Sequence, residues 1–393
     1  MTTRRWDVVV VGARVAGAAT GMLLARSGLR VLVLDRMRPG ADTLSTHALM
    51  RAGTLQLRRW GLLEALVDAG TPAVTRTVFH YADGESVPVS IKPAAGVDAL
   101  YAPRRTLLDR LLAEEAARCG ATVEHGVTVT ALLRGDHGRV TGVRVRDADG
   151  RVREEHAEIV IGADGRSSLV AAQVGAATLV QGRSASSIVY GYFDGLPSEG
   201  YEWVWAPRRA AGVIPTSGGL SCAFVAAPPQ EMAGVRAVLG PDAAFRALVG
   251  EAAPALLERL DAATPVGRLR HDRGVPGHLR AASGPGWALV GDAGYWKDPL
   301  STHGMTDALR DADLLARAVV DAVPAGSWST PTGRAALGRY QATRDRLSVR
   351  MVDVAERMAA FTWDLAGIRG LLRELASAMS DEVEALSELP PAA

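Results

Sequence analysis

The chain contains no asparagine, and only two of its 44 basic residues are lysines, Lys92 and Lys297. Arginine stands almost everywhere else, the bias expected of a GC-rich genome, so the surviving lysines mark places where a compact ammonium is preferred over a planar fork. Cysteine is as scarce. Cys119 and Cys222 lie far apart, which excludes a disulfide framework and gives no reason to expect a metal site. A charge excess is missing too: 44 basic against 43 acidic residues leave a net charge of +1, no basis for binding nucleic acid or an anionic membrane. No apolar run is long enough to span a bilayer, so no stable membrane insertion is expected. These absences lead to the expectation of a cytoplasmic protein whose partners are small molecules and whose oligomeric state is open. What is present is core: 48% of the 393 residues are hydrophobic, enough for one large domain or a few smaller ones.

The first thirty-five residues organise the rest. Trp6-Asp-Val-Val-Val-Val-Gly12 reads as a buried strand, followed by Gly12-Ala-Arg14-Val-Ala-Gly17, an Ala/Leu-rich helix to about Ser27, a stop at Gly28, and a second strand Val31–Leu34 ending in Asp35. Strand, glycine turn, helix, strand and terminal acid make a dinucleotide-binding βαβ unit. Gly12 allows the tight turn, Gly17 lets helix and strand pack closely, and the helix N-terminus offers free N–H groups to a pyrophosphate. Asp35 lies where a carboxylate accepts from a ribose hydroxyl, with Arg36 beside it. The middle glycine of the fingerprint is replaced by Arg14, whose side chain must turn aside, to bond the phosphates or to point to water. A secretory leader is the dull reading of Arg4-Arg5 before an apolar run; Asp7, Gly12, Arg14 and Gly17 break that run.

Further along, spacing predicts a helix from about Leu49 to Trp60 with a second helical turn continuing to Ala69, a hairpin over 77–91 turning at Asp83-Gly84, an amphipathic helix over 104–119 stopped by Gly120, and strands over 122–145 with a further hairpin at Asp149-Gly150. Ala157–Gly165 is a strand entering a second glycine turn. Residues 187–225 are strand-rich, with Trp203 and Trp205 on one face of one strand. Residues 233–260 are helical by spacing. Trp287–Asp292 is a short buried strand leading through Pro299 into a helix from about Met305 to Val320, and 332–389 reads as an amphipathic helical tail, a packing or dimer surface.

Three of these segments together resemble the FAD-dependent oxidoreductases of the p-hydroxybenzoate hydroxylase and geranylgeranyl reductase type, which also include flavin halogenases. They are Gly12 to Asp35, the "DG" segment Ile161-Gly-Ala-Asp164-Gly165-Arg-Ser-Ser168, and the "GD" segment Val290-Gly291-Asp292-Ala-Gly294 through Pro299 to Gly304. The resemblance spans roughly residues 6 to 345. It implies FAD as cofactor and NAD(P)H as a transient reductant. It also implies that Asp292 accepts from a ribityl hydroxyl and that the helix starting at Gly304-Met305 aims its N–H groups at the flavin N1–C2=O edge, where a reduced flavin carries negative charge. Arg105, in an Arg-x-x-Leu-Asp pattern, falls where members place an arginine against FAD, and His47 falls in a loop beside the flavin. The chain departs from the pattern at Ala171, where the DG motif ends in Arg, at Tyr295 in place of His, and at Thr306 in place of Asn.

The implied fold class is α/β: a discontinuous FAD-binding Rossmann-like domain over 1–75, 101–185 and 270–330, an interleaved antiparallel substrate domain over 76–100 and 186–269, and C-terminal helices over 331–393. The implied reaction is monooxygenation of an aromatic or polyketide-like small molecule, with dioxygen adding at flavin C4a to give a hydroperoxide; the cofactor carries the hard chemistry, in keeping with the lack of any nucleophile triad. A halogenase signature Trp-x-Trp-x-Ile-Pro fails, since Ala210 and Gly212 occupy the tryptophan positions before Ile214-Pro215. The reductase signature Tyr-x-Trp-x-Phe-Pro is nearly met by Tyr201-Glu-Trp203-Val-Trp205-Ala-Pro207, which keeps an alkene reductase as the alternative; a non-catalytic flavin-binding protein is the second. Trp203, Trp205 and Pro215 are the expected substrate wall, and His47, Lys297 and Pro299 the candidate catalytic residues. Lys297 is expected either to raise the flavin potential, to meet an anionic substrate at the pocket rim, or merely to face solvent or pair with Asp298 or a neighbouring carboxylate.

Overall fold

A computed structural model describes residues 5–322, 328 and 330–390. Strand Arg5–Val11 runs parallel to Val31–Asp35 on one side and to Val152–Gly162 on the other, with Val8 opposite both Val31 and Ile159. Val8, Val9 and Val10 are fully buried on alternating faces, as a central parallel strand requires. The sheet continues outward through Thr122–His125 at one edge and Trp287–Leu289 with Ser283–Gly284 at the other. The eleven-residue strand Val152–Gly162 serves two purposes: its first half pairs antiparallel with Val140–Arg146, its second half parallel with Arg5–Val11 and Trp287–Leu289. Helices Val15–Arg26, Arg105–Arg118 and Gly304–Ala322 share one core with one face of this sheet.

A second sheet has seven strands in the order Thr264–Asp272, Ser187–Asp194, Ser221–Ala227, Arg209–Pro215, Tyr201–Ala206, Arg76–Tyr81, Ser86–Ser90. Its two faces bury different sets, as the two-residue period dictates. Val189, Phe193, Val213 and Val225 face three short helices, Pro229–Leu239, Pro241–Ala252 and Pro254–Ala262. Tyr190, Tyr192, Tyr201, Trp203, Trp205 and Phe224 face helices Pro331–Ala359 and Leu365–Ser387.

One local expectation needs correction, one strand carries no sequence signal, and of the two readings of the tail one is decided. The stretch over 233–260 is not one helix: Pro241 and Pro254 each open a new one, because proline supplies no N–H to a preceding turn. Thr264–Asp272, which spacing did not reveal, is an edge strand whose first five residues are exposed, so it carries no apolar alternation. The tail packs within the chain: Met351, Met358, Ile368, Leu371 and Leu375 bury the aromatic face of the second sheet. The tail is two helices because the chain turns at Phe361, which has φ +52°, and restarts at Asp364, whose carboxylate caps the Gly367 amide at 2.7 Å.

Candidate active site

The three glycine segments meet at one junction. Gly12 has φ +109°, and a Cβ there would lie 2.4 Å from the Ala163 carbonyl oxygen of the DG segment. A Cβ on Gly17 would lie 1.8 Å from the Gly12 oxygen, and one on Gly291 2.8 Å from the Ala16 Cβ. Any side chain at these positions would drive apart the segments that form the nucleotide turn. Asp35 holds the same turn from below: its Oδ2 accepts from the Ala13 amide at 2.8 Å and its Oδ1 from the Met37 amide at 2.7 Å. A cavity of about 300 Å³ opens beside it, lined by Arg14, Asp35, Gly40, Asp109, Val123 and His125 among others. Arg14 stands at the N-cap of Val15–Arg26, half-buried, its pKa lowered by burial and by the neighbouring Arg105. Arg105 is clamped by both oxygens of Asp109 at 3.0 Å, while Arg36 is exposed.

The two motif aspartates have different surroundings. Asp164 accepts from Ser168 Oγ at 2.5 Å and from the Leu169 and Val170 amides at 2.7 and 3.1 Å, so it fastens the start of helix Leu169–Val174. Asp292, in the turn after Trp287–Leu289, is pushed up to about 6 by burial, against the pull of Lys297, Arg105 and Arg166. Its charge is thus felt both by Lys297 on the following loop and by Arg105 of the helix Arg105–Arg118.

Cross-strand register sets the aromatic face. Tyr192, Cys222 and Ile214 form one row, Tyr190, Phe224, Gly212 and Trp203 the next, and Ile188, Ala226, Ala210 and Trp205 the third. The tyrosines anchor the 43–47 loop: the Tyr190 hydroxyl accepts from the Ser45 amide at 3.0 Å and donates to the Thr43 carbonyl at 3.3 Å. Tyr192 hydrogen-bonds His47 Nε2 and stacks on its ring. His47 is fully buried at φ +68°, a strained conformation for a residue with a side chain, and its Nδ1 has no protein partner. Burial, reinforced by Arg105, Arg104 and Arg270, drives its pKa well down, so the ring is neutral at pH 7. Arg104 lies 3.6 Å over the Tyr192 ring.

The tryptophan end of the same face closes against the GD loop. Trp203, Trp205, Ile188 and Phe224 line a tight crevice with Pro299, Leu300, Thr302 and Thr46, with free space of only about 10 Å³. Trp203 packs on Phe224 at 5.8 Å between ring centres and Trp205 on Trp363 at 5.9 Å. Pro215 is not in this lining; it ends its strand opposite Ser221, at the tyrosine end. Met305 reaches Ser45 Oγ at 3.9 Å and Thr306 Oγ1 accepts from the Met50 amide at 3.0 Å, so the first turn of Gly304–Ala322 is tied to the His47 loop.

Lys297 points neither to a rim nor to solvent, and of its expected partners it takes a neighbouring carboxylate rather than Asp298. Its ammonium pairs with Asp307 inside a fully buried cluster. Arg310 Nη1 lies 3.1 Å from Asp307 and 2.9 Å from Glu382, and its Nη2 lies 2.7 Å from Asp311. His303, Asp307 and Glu382 converge as a metal-binding trio would, but Lys297 and Arg310 already neutralise these carboxylates.

Comparison with known proteins settles the class. A family model described as "FAD binding domain" matches residues 5–355. The chain belongs to the FAD binding domain family. This flavoprotein is 26% identical over 358 residues to a digeranylgeranylglycerophospholipid reductase of Methanothrix thermoacetophila, covering 90% of this chain and 87% of that one. It is 25% identical to a squalene epoxidase of Candida albicans over 81% and 72% of the two chains. Among solved structures, P. aeruginosa PqsL in complex with 2-aminobenzoylacetate superposes with a TM-score of 0.80 at 23% identity, over 94% of this chain and all of that one. The flavin-dependent brominase Bmp2 superposes with a TM-score of 0.80 at 17% identity, over 98% and 99%. The protein is an FAD-dependent oxidoreductase, as its three glycine segments imply.

The residues present fit FAD. The glycine junction leaves the backbone bare where a diphosphate must approach, Asp35 keeps a carboxylate at the cavity wall, and the orphaned His47 Nδ1 is a buried polar atom awaiting a partner. Sequence reasoning did not single out Tyr190, Tyr192, Arg104 or Glu382. Only alternation within Ser187–Asp194 puts the two tyrosines on one face, and nothing local links them to His47.

Proposed function

We propose that the protein is an FAD-dependent monooxygenase that hydroxylates or oxidises an aromatic or polyketide-like small molecule, with NAD(P)H as reductant and dioxygen as co-substrate. The crevice carries this reading: two tryptophans and a phenylalanine on a sheet face meet Pro299, Leu300 and Thr302 of the loop that follows Asp292. Closed as it stands, with room for about one water, this wall would take a flat apolar substrate once the loop over Pro299–Thr302 drew back, and would then keep water from it, as reactive oxygen chemistry requires. Two similar proteins support it, one a squalene epoxidase and the other a structure solved with the aromatic 2-aminobenzoylacetate.

Bound FAD would supply the electron transfer and the activation of dioxygen. The chain supplies placement. Gly12, Arg14, Gly17, Asp35 and Arg105 would hold the nucleotide end, and Asp164, Gly291, Asp292, Gly304 and Met305 the flavin end. His47, neutral and held through Nε2 by the Tyr192 hydroxyl, can take a proton from a substrate hydroxyl at Nδ1 and hold it as an imidazolium. Pro299 closes the crevice opposite the tryptophans. Turnover under isotopically heavy dioxygen, with NAD(P)H and a panel of phenols and aromatic polyketides, tests the proposal. One labelled oxygen atom in the product per NAD(P)H oxidised is the expected result; consumption of NAD(P)H with no labelled product across the panel overturns it.

The alkene reductase reading has its own support in Tyr201-Glu-Trp203 and in the 26% identical reductase. A reductase saturates its substrate under anaerobic conditions; a monooxygenase makes no product there.

A further inference from the structure

The cluster around Lys297 has more charge than packing needs. Three carboxylates, Asp307, Asp311 and Glu382, face two cations, Lys297 and Arg310, all buried; Arg310 stays charged, whereas burial pulls the Lys297 ammonium down to about 7 while Glu382, Asp292 and Asp311 work to hold its proton. The sixth member is His303, fully buried between the carboxylates: its Nδ1 lies 3.1 Å from Asp307 Oδ1, and its Nε2 lies 3.0 Å from Glu382 Oε2, at ion-pair range though not aligned as a hydrogen bond. With Lys297 charged, a neutral His303 leaves the cluster one net negative charge and an imidazolium leaves it none. Ser348 and the Tyr295 ring complete its surroundings, the ring 4.6 Å from Lys297 Nζ. Burial pulls the His303 pKa down, and Glu382 works to raise it. Glu382, despite burial, is held down at about 2 by His303, Arg310 and Lys297.

The cluster is coupled to the candidate cofactor site by two routes. Electrostatically, Asp292 and Lys297 each feel the other's charge. Mechanically, Asp307 lies in the first turn of Gly304–Ala322, next to Met305 and Thr306, which are tied to the His47 loop.

We propose that His303 is a positioning residue that answers the charge of the bound flavin: a neutral imidazole when the flavin is oxidised, an imidazolium held by Asp307 and Glu382 when the flavin is reduced and anionic. The two electrons reach the flavin as hydride from the reductant. The answering proton comes from solvent, and the only bond the protein makes is the second N–H of His303. Neutralising the cluster at that moment removes a buried negative charge behind the first helical turn and so favours the reduced cofactor. The inference needs FAD bound at Asp292 and Gly304 but not the monooxygenase reading. Loss of FAD affinity in Asp292→Ala tests that placement separately.

The test is the midpoint potential of the bound FAD, followed by spectroelectrochemistry across the imidazole titration range. The flavin's own proton uptake is common to all variants, so the difference from wild type is read. His303→Gln removes the titrating imidazole and, wherever Lys297 is charged, leaves the cluster at minus one: its potential matches wild type at high pH, falls below it at low pH, and lacks the extra inflection, whereas an inflection that stays in His303→Gln and vanishes in Lys297→Arg belongs to Lys297 instead. His303→Gln/Glu382→Gln fixes it at zero and restores the low-pH value. In wild type, nitrogen NMR of labelled histidine detects one imidazolium appearing on reduction. Potentials equal to wild type at every pH, an inflection that survives in His303→Gln, no restoration in the double variant, or a histidine spectrum unchanged on reduction each overturn the proposal. The NMR and the wild-type titration decide it even if a variant fails to fold.

Discussion

Single carboxylates carry two of the sharpest consequences. Asp35 spends lone pairs on the Ala13 and Met37 amides as well as facing the cavity, so it organises the turn it serves. Asp35→Ala should cost about 1.5–3 kcal/mol of FAD binding, the worth of a bond to a charged acceptor, and should also lower the melting temperature of the apoprotein. Fluorescence titration with FAD and an apoprotein melt measure both; an unchanged FAD affinity would refute the ribose role. Asp292 has a folded pKa raised to about 6 by burial, above its ordinary 3.8. The folded apoprotein therefore binds a proton that the unfolded chain releases in that window. Stability falls as pH rises through it, and the cost is complete above about pH 6. Asp292→Asn should accordingly stabilise the apoprotein by on the order of 3 kcal/mol at neutral pH and little in acid, while weakening FAD binding. Denaturant melts at the two pH values show the sign.

Elements act through their junctions. Helix Val15–Arg26 meets its strand through Gly17, and a methyl there would lie 1.8 Å from the Gly12 oxygen. Gly17→Ala should force the helix off the turn and reduce FAD affinity by more than about tenfold, roughly 1.4 kcal/mol or greater, with far-ultraviolet circular dichroism nearly unchanged. Strand Tyr201–Ala206 presents Trp203 and Trp205 to the crevice and Glu202 and Val204 to the other side. Trp203→Ala or Trp205→Ala should leave FAD bound and weaken substrate by about 2 kcal/mol, the scale of a buried aromatic contact. Spectral titration of the flavin with substrate reads both at once, and wild-type affinity in both variants would reduce the rings to packing.

For the whole molecule, the C-terminal helices complete the site. Leu365–Ser387 buries Ile368, Leu371 and Leu375 against the aromatic sheet face and sends Glu382 into the Lys297 cluster. Removing residues after 360 would uncover that face and leave Arg310 short of a carboxylate inside the core, a loss of several kcal/mol. Such a truncation should bind a hydrophobic dye, yield to protease, and lose near-ultraviolet circular dichroism. Native-like spectra would show that the helix is only appended. Among the described residues no helix is long and apolar enough to cross a membrane.

The sequence by itself determined what local periodicity and backbone chemistry can encode. The run from Trp6 to Asp35 needs no partner to be read, because buried parallel strands are continuously apolar and a nucleotide turn demands glycine. The Asp83-Gly84 hairpin, the 104–119 helix, and the DG and GD segments were legible for the same reason. Where local signals were weak, reading failed: Thr264–Asp272 is an exposed edge, and the breaks at Pro241 and Pro254 interrupt an otherwise even helical spacing. Only the tertiary structure decided which distant residues meet. His47 finds Tyr192 across 145 positions and Arg310 finds Glu382 across 72. Lys297, singled out by composition, is enclosed by the helix that follows it and by the far end of the chain. Charge pairing in a core depends on which faces are buried against each other, and that is a property of the packed whole rather than of any stretch of sequence.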